Sequence, residues 1–379
     1  MSPDQLGVDQ LGTLLVEAVT RGVAPRLDAA IWIEGELHEL SSSGKAPAPF
    51  DLASLTKPLA SGLVALSLAA EDRLDLEAAT AEGPSARQLL DHSAGYEEWR
   101  PFFKACFDDE TTRQIFKAPW SSAWAASAFE RSRQIVGQLV SAARPSGAPG
   151  KQTTYSDVGF LKLQQRLEAA GGETLSALFA RRVAQPLGLE LGFVDLARVK
   201  AANLPAALPT GKLRPRPPAP GQEQELAGLP MSDVGPAPGQ VDDDNAFALG
   251  GIAGHAGLFG TAGAVALAGA RFLEECEGRG RLGPSELARA FCGPSGAGGR
   301  GLGWDRPSGR SSLGTLLGQG SLGAVGHLGY TGCSLWVDRD RRVSIALCSN
   351  RVLLGRENLM IRDFRPRFHD AVARTFDLA

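Results

Sequence analysis

The stretch FDLASLTKPLASGLVALSLAA, residues 50–70, decides how the rest of the chain is interpreted. It contains a serine followed three positions later by a lysine, Ser54-Leu-Thr-Lys57. Apolar residues then recur at helical spacing: Leu59, Leu63, Leu66 and Ala70. The spacing predicts a helix that begins at Ser54. Because residues three apart are neighbours on a helix, we expect the Ser54 and Lys57 side chains to meet.

Two interpretations of this pair remain open from the local sequence. Burial disfavours an ammonium group, so a neutral Lys57 could take the proton of Ser54, and the helix N-terminus would favour an oxyanion. Alternatively, Ser54 caps the helix and Lys57 extends to solvent. A second copy, Ser42-Ser-Gly-Lys45, lies in a loop rich in Ser, Gly and Pro. We interpret that copy as structural.

Composition and charge are those of a soluble globular protein. The chain has 379 residues and a net charge of −3, without a long run of one sign. We therefore expect no nucleic acid and no membrane as partner. The N-terminus has no basic segment followed by an apolar one, so we expect no signal peptide and a cytoplasmic location. The sequence indicates no particular oligomeric state.

Several patterns that could bind a cofactor or metal are set aside. The five cysteines lack C-x-x-C spacing and the five histidines are scattered, which predicts free thiols, no metal and no cofactor. Residues 296–301 match G-x-G-x-x-G but follow a helix, whereas dinucleotide binding needs a preceding strand. The acidic run 242–245 is interpreted as a helix cap or a solvated loop. A G-x-S-x-G nucleophile elbow is absent.

Strand patterns lie near both ends of the chain and helical patterns fill the middle. Residues 27–40 read as a hairpin with its turn at Glu34-Gly35, and residues 332–350 read as two more strands. Helices are predicted over 6–18, 85–95 and 360–376, and a further helix ends at Gly171-Gly172. This order predicts an α+β fold whose sheet combines both ends of the chain.

Two later stretches add chemistry to the serine and lysine. Tyr155-Ser-Asp157 precedes a helix, where a tyrosine can shuttle protons. His327-Leu-Gly329-Tyr330 enters a predicted strand, where glycine lets a substrate approach the backbone. Either stretch alone is explained by a packed tyrosine or a glycine-rich strand. Their occurrence together, in this order, favours an active site.

Together these residues resemble the serine β-lactamase and penicillin-binding-protein superfamily, and most of all its class C and esterase-like branch. There the order is S-x-x-K, then Y-x-N, then K-T-G or H-x-G. The segments LLDHSAGY (89–96) and GHAGLFGTA (254–262) are also similar, and the resemblance runs from about residue 25 to the C-terminus. It implies an antiparallel sheet flanked by helices, with an all-α inserted region.

The resemblance also implies one catalytic domain over residues 1–379. Residues 1–75 and 246–379 would form its α/β part, and 76–245 a mainly helical insertion. The segment 204–240 is rich in Pro and Gly. It is either a loop that overhangs the site and sets acyl size, or a surface loop without such a role.

Roles are carried over to the matching positions as implications of the resemblance. Ser54 would attack a carbonyl and form an acyl-enzyme, while Lys57 and Tyr155 would share the proton transfers. The N–H groups of Ser54 and Tyr330 would form the oxyanion hole. His327 and Gly329 would line the strand edge beside the substrate.

Three positions depart from the family pattern. Asp157 stands where the family often has Asn, and its charge would keep Lys57 protonated. This favours Tyr155 over Lys57 as the general base. His327 replaces a lysine and Leu328 replaces a hydroxyl residue, so we expect weak recognition of a substrate carboxylate. If His327 is partly charged beside the substrate, His327→Gln should change the pH–rate profile between about pH 5 and 8.

The sequence therefore favours a serine hydrolase, an esterase of small acyl esters with weak or no β-lactamase activity. One alternative is a D-amino-acid peptidase or amidase, or a carboxypeptidase of cell-wall fragments. Another is a catalytically silent binding protein with the same fold. The partner is expected to be a small ester or peptide-like substrate.

Overall fold

A computed structural model describes residues 3–79, 83–117, 121–199, 207–211, 215, 223–224, 226–229, 238–308 and 311–378. Its strands are β1 (Leu27–Ile33), β2 (Glu36–Ser41), β3 (Phe50–Asp51), β4 (Gly192–Phe193), β5 (Leu258–Gly260), β6 (Ala324–Leu328), β7 (Ser334–Asp338) and β8 (Val343–Ser349). The α-helices are α1 (Pro3–Thr20), α2 (Leu63–Ala70), α3 (Ala86–Leu90), α4 (Glu110–Lys117), α5 (Ser122–Ala142), α6 (Asp157–Gly171), α7 (Leu175–Phe179), α8 (Gln185–Leu187), α9 (Asp244–Ala248), α10 (Ala262–Cys276), α11 (Ser285–Cys292) and α12 (Ile361–Thr375).

The main sheet joins the two ends of the chain. Its five antiparallel strands have the order β2-β1-β8-β7-β6. Strand β1 pairs with β2 across the predicted turn, where Glu34 and Gly35 have φ of 52° and 90°, and with β8 on its other side. The predicted α+β class and both predicted hairpins are confirmed.

Two apolar cores cover the faces of this sheet. Helices α1 and α12 pack on one face, with Leu15, Phe364 and Phe368 buried against β1 and β8. Helix α10 packs on the other face, where the core continues into the inserted helices. Since both faces are covered, nearly all residues of β1, β7 and β8 are buried.

Two features of the fold differ from the sequence expectation. A small second sheet of order β3-β5-β4 was not predicted, because its strands have only two or three residues. Helix α3 ends at Leu90 and not at Gly95. Asp91 accepts the N–H of Ser93 and His92 adopts a left-handed φ of 63°, so the chain turns away there. Most of the Pro/Gly-rich segment 204–240 lies outside the described residues.

The predicted helix after Ser54 is present but its first turns are irregular. A 3₁₀ turn covers Ala53–Leu55, a wide π-helical stretch covers Lys57–Gly62, and α2 follows. Pro58 has no N–H to donate to the preceding turn, which accords with the change of winding. The whole stretch Ala53–Ala70 is long and apolar enough to cross a membrane, yet 83% of it is buried inside the protein.

Candidate active site

Ser54 and Lys57 meet as the helical spacing predicts. Lys57 Nζ donates to Ser54 Oγ at 3.0 Å, and the Lys57 side chain is fully buried. Leu52, not Ser54, precedes the 3₁₀ turn, and no side chain caps it. The alternative of a capping serine with a solvent-exposed lysine is therefore wrong. In the second copy, Lys45 is exposed, and Ser42 Oγ accepts the N–H of Leu27, the first residue of β1.

Asp157 holds Lys57 in its charged form. Lys57 Nζ lies 2.7 Å from Asp157 Oδ1 and 3.5 Å from the carbonyl oxygen of His255. Burial lowers the pKa of Lys57, but attraction to Asp157 and then to Tyr155 outweighs burial and leaves this pKa above its ordinary value. A neutral lysine base is therefore disfavoured in the resting site.

Tyr155 lies beside this ammonium group, on the loop before α6. Lys57 Nζ is 4.6 Å from the centre of the Tyr155 ring, and the Arg300 guanidinium carbon is 5.3 Å from it. The loop is held by His92, whose Nδ1 accepts the N–H of Ser156 at 2.9 Å and whose ring lies 4.6 Å from that of Tyr155. His92 belongs to the LLDHSAGY segment, which indicated the family but not this role.

The segment GHAGLFGTA packs the helix that follows Ser54 against α6. Ser61 Oγ donates to the Gly254 carbonyl at 2.7 Å, and Thr56 Oγ1 accepts the N–H of Leu258. A Cβ on Gly254 would lie 2.3 Å from the Phe160 carbonyl oxygen, so only glycine fits this approach. The contact places the next carbonyl, that of His255, beside Lys57.

His327 lies inside strand β6 and is neutral. Its ring is 2% exposed, its Nδ1 is 2.9 Å from the Leu328 carbonyl oxygen, and its Nε2 is buried without a hydrogen-bond partner among the described residues. Burial, together with Lys57 and Arg300, lowers the pKa of His327 well below its ordinary value. The expectation of a partly charged His327 that titrates between pH 5 and 8 is therefore wrong, because burial excludes the charged form.

Gly329 and Tyr330 follow at the end of β6 and face the serine turn. A Cβ on Gly329 would lie 2.6 Å from the Leu52 carbonyl oxygen, so this strand end touches the residues just before Ser54. The Tyr330 side chain is 37% exposed, and its hydroxyl accepts from Arg356 Nε at 2.7 Å. The oxyanion hole formed by the N–H groups of Ser54 and Tyr330 stays a prediction.

Asp51 is a site residue that the motif reasoning missed. It lies three positions before Ser54 and is fully buried. Its two oxygens accept the N–H of Ala53 at 2.9 Å and of Asp242 at 2.7 Å. Ala53 has a left-handed φ of 48°, and this hydrogen bond supports it. Burial raises the pKa of Asp51 to about 7, and the sequence carried no signal of this.

The site residues lie in or behind the wall of one cavity of about 1140 Å³. Ser54, Tyr155, Asp157, His327 and Tyr330 line it together. The structure thus brings the predicted site residues to one place, with Gly329 in the wall and Lys57 buried behind Ser54 and Asp157.

Arg300 belongs to the glycine-rich loop 296–301, which matches G-x-G-x-x-G without the preceding strand that dinucleotide binding needs. It lines the same cavity and pairs with Asp305. The loop therefore contributes to the site wall, although its glycine pattern gave no indication of this.

Comparison with known proteins adds a family match. The model of the protein family described as Beta-lactamase matches residues 13–364. A protein of Escherichia coli (strain K12), named "Putative D-alanyl-D-alanine carboxypeptidase", is 28% identical over 209 residues, which are 54% of this chain and 46% of that protein. The chain thus spans about half the length of that curated relative.

Solved structures share the fold over nearly the whole chain. A penicillin-binding protein homologue from Caulobacter crescentus has a TM-score of 0.67 at 17% identity and covers 99% of this chain and 98% of its own. The structure of EstCE1, titled a hydrolase with promiscuous acyltransferase activity, has a TM-score of 0.63 at 20% identity and covers 96% and 99%. At these identities the similarity establishes the fold alone.

Proposed function

This chain belongs to the Beta-lactamase family, a family of serine hydrolases, and on that premise we propose that it is an esterase of small acyl esters acting through Ser54. The observation that carries the proposal is the contact of Ser54 Oγ with a buried, charged Lys57 beside Tyr155 in an open cavity. Such an arrangement suits attack on a carbonyl and transient storage of the acyl group on Ser54.

The chemistry divides into acylation and deacylation. Ser54 Oγ attacks the carbonyl carbon while its proton passes to the Tyr155 oxygen, which takes part as a phenolate. The charge of Lys57 stabilises this phenolate and the Ser54 oxygen as it loses its proton. The proton then moves to the leaving alkoxide and the acyl–oxygen bond breaks. Water attacks the acyl-enzyme by the reverse proton route and releases the acid.

The preference for esters follows from β6. A neutral, buried His327 and the apolar Leu328 stand where the antibiotic-binding relatives have a lysine and a hydroxyl. Neither side chain can pair with a carboxylate held beside this strand. We therefore expect β-lactam hydrolysis to be poor.

The test combines covalent labelling with hydrolysis rates. A fluorophosphonate probe should label the wild type and the matched control Ser42→Ala, but not Ser54→Ala, and 4-nitrophenyl butyrate hydrolysis should follow the same pattern. Full labelling of Ser54→Ala would overturn the choice of nucleophile. Penicillin or cephalosporin hydrolysis as efficient as that of the butyrate ester would overturn the ester preference.

A second candidate is hydrolysis of D-amino-acid amides or peptides. Its support is the exposed Glu98 carboxylate at the cavity, next to Asp157, which would attract a substrate ammonium group. The name of the E. coli relative points to the same bond type. Faster release of 4-nitroaniline from D-alanine 4-nitroanilide than from the L-enantiomer, at a rate above that of butyrate ester hydrolysis, would favour this candidate.

A further inference from the structure

Four arginines from the C-terminal part of the chain line the cavity, and one of them, Arg356, donates to the Tyr330 hydroxyl. We call Arg351, Arg362 and Arg365 the arginine wall; Arg351 lies in the turn after β8 and the others lie on α12. Arg351 and Arg365 are each 5% exposed, whereas Arg362 is exposed. All three line the cavity that Ser54 lines.

Among the described residues no carboxylate lies within ion-pair distance of the arginine wall, although Asp242 attracts Arg351 from farther away. Arg351 donates to the Asn358 carbonyl at 2.6 Å, and Arg365 donates to the Gly329 and Cys333 carbonyls at 3.3 and 3.0 Å. The ion pairs found within the described ranges involve other arginines. Arg365 Nε is in addition buried without a hydrogen-bond partner in that part of the chain.

Three like charges held together in this way oppose one another. Burial lowers the pKa of Arg365 to about 10, and the charges of Arg351 and Arg362 act in the same direction. Burial also lowers the pKa of Arg351; Tyr330 and Asp242 oppose this effect, and Arg362 adds to it. A bound anion would relieve this repulsion and would replace the water that the buried guanidinium groups have lost.

The arginine wall is adjacent to the strand end that faces the nucleophile. Arg365 bonds to the Gly329 carbonyl, and Gly329 packs on the Leu52 carbonyl just before Ser54. The guanidinium carbon of Arg351 lies 5.0 Å from the Tyr330 ring centre. A substrate whose carbonyl is at Ser54 can therefore extend past Tyr330 to the arginines.

We propose that the arginine wall is a subsite for a carboxylate group carried by the substrate. This inference rests on the proposed hydrolase function and names a substrate class for it. Guanidinium groups match the two oxygens of a carboxylate. A phosphate dianion fits less well, because Asp242, Glu223 and Glu357 also line the cavity and repel a second charge. Apolar side chains suited to a short hydrocarbon stem line the same end: Val352, Leu354 and Leu359.

This subsite is distinct from the carboxylate-binding position of the antibiotic-binding relatives, which His327 and Leu328 occupy in this chain. A β-lactam carries its carboxylate on a rigid ring, next to the bond that is cleaved. A flexible ester or amide can place its carboxylate several bonds away. The arginine wall therefore accords with poor β-lactam hydrolysis and selects acyclic acid-bearing substrates.

Two pairs of esters test the subsite on either side of the bond. The acyl pair is 4-nitrophenyl hydrogen glutarate and its methyl ester; the leaving-group pair is 4-carboxyphenyl butyrate and its methyl ester. In the wild type, kcat/KM for the acid should exceed that for the methyl ester about tenfold in at least one pair. Arg362→Gln should reduce that ratio about tenfold. Arg367→Gln, which removes an exposed arginine of α12 outside the cavity, should leave the ratio unchanged.

The outcomes separate the subsite from the proposed function. Hydrolysis of the methyl esters without preference for the acids overturns the subsite and leaves the hydrolase intact. If neither the acids nor their methyl esters are hydrolysed, the proposed function is overturned. The subsite is then tested by thermal unfolding in the presence of glutaric acid monoanilide. This carboxylate-bearing anilide should raise the Tm of the wild type but not that of Arg362→Gln. Butyranilide, which has no carboxylate, is the neutral control. Equal shifts for acid and neutral anilide overturn the subsite.

Discussion

The charge beside Ser54 depends on Asp157, a single carboxylate 100 positions away from Lys57 along the chain. Lys57 is fully buried, and burial alone would favour its neutral form. The 2.7 Å contact with Asp157 reverses that preference. In the proposed mechanism Lys57 therefore stabilises negative charge and Tyr155 accepts the proton.

Asp157→Asn should move the alkaline limb of the kcat/KM profile to lower pH by about 1–3 units. The pKa of Lys57 is raised in the wild type, so its charge persists at high pH; without Asp157, burial lowers that pKa and the charge is lost earlier. Rates of 4-nitrophenyl butyrate hydrolysis across pH measure the limb, with Asp157→Glu as the control that keeps the charge. An Asn variant more active than the wild type at neutral pH would instead identify neutral Lys57 as the base.

Asp51 should make stability depend on pH near neutrality. Its pKa rises to about 7 in the folded protein from an ordinary 3.8, so the folded state holds the proton over this interval and the unfolded state does not. Stability from this group is complete below about pH 4 and is lost up to about pH 7, at no more than about 1.4 kcal/mol per pH unit.

The variant Asp51→Asn isolates this effect. It loses one backbone acceptor and should be less stable than the wild type at pH 5 by about 1–3 kcal/mol. The deficit should shrink as the pH rises to 8, because only the wild type must then bury a charge. Urea unfolding at both pH values measures it, and a constant deficit would show that Asp51 does not titrate there.

The site is positioned by close contacts between secondary-structure elements rather than by any one element. The π-helical stretch carries Lys57, the loop before α6 carries Tyr155, and the end of β6 carries Gly329. Glycines at 254 and 329 let these backbones approach within the space of a methyl group. The exact placement of the reacting groups therefore depends on residues without side chains.

Gly254→Ala should destabilise the protein by about 1–3 kcal/mol and reduce activity, because its Cβ would meet the Phe160 carbonyl at 2.3 Å. Gly137→Ala is the matched control: Gly137 lies within α5 and a Cβ there meets nothing within 4 Å. The free energy of unfolding of the control should rise by about 0.5–1 kcal/mol. Thermal and urea unfolding measure both, and an unaffected Gly254→Ala would contradict the contact.

The complete molecule assembles its site from three distant parts of the chain. The N-terminal hairpin and the C-terminal strands share one sheet through the pairing of β1 with β8. The inserted helices supply Tyr155 and Asp157, and α12 closes the cavity with two of its arginines. The carboxylate subsite is a property of this assembly, since Arg351 and Arg365 come together only around the end of the sheet.

The sequence by itself determined the α+β class, the two hairpins, the helix after Ser54 and the order of the three motifs. These features are local, since periodicity, turn residues and short spacings act over a few positions. The charged state of Lys57, predicted from Asp157, is confirmed by the structure. Tertiary structure alone decided that His327 is neutral, that Asp51 titrates near pH 7 and that the arginines share one wall. The protonation states depend on burial and on charges that are distant in the chain, as Asp157 is from Lys57 and Asp242 from Asp51. The arginines are close in the chain, and the structure adds that they line the cavity of Ser54. A pattern of neighbouring residues in the sequence does not predict which distant residues come into contact.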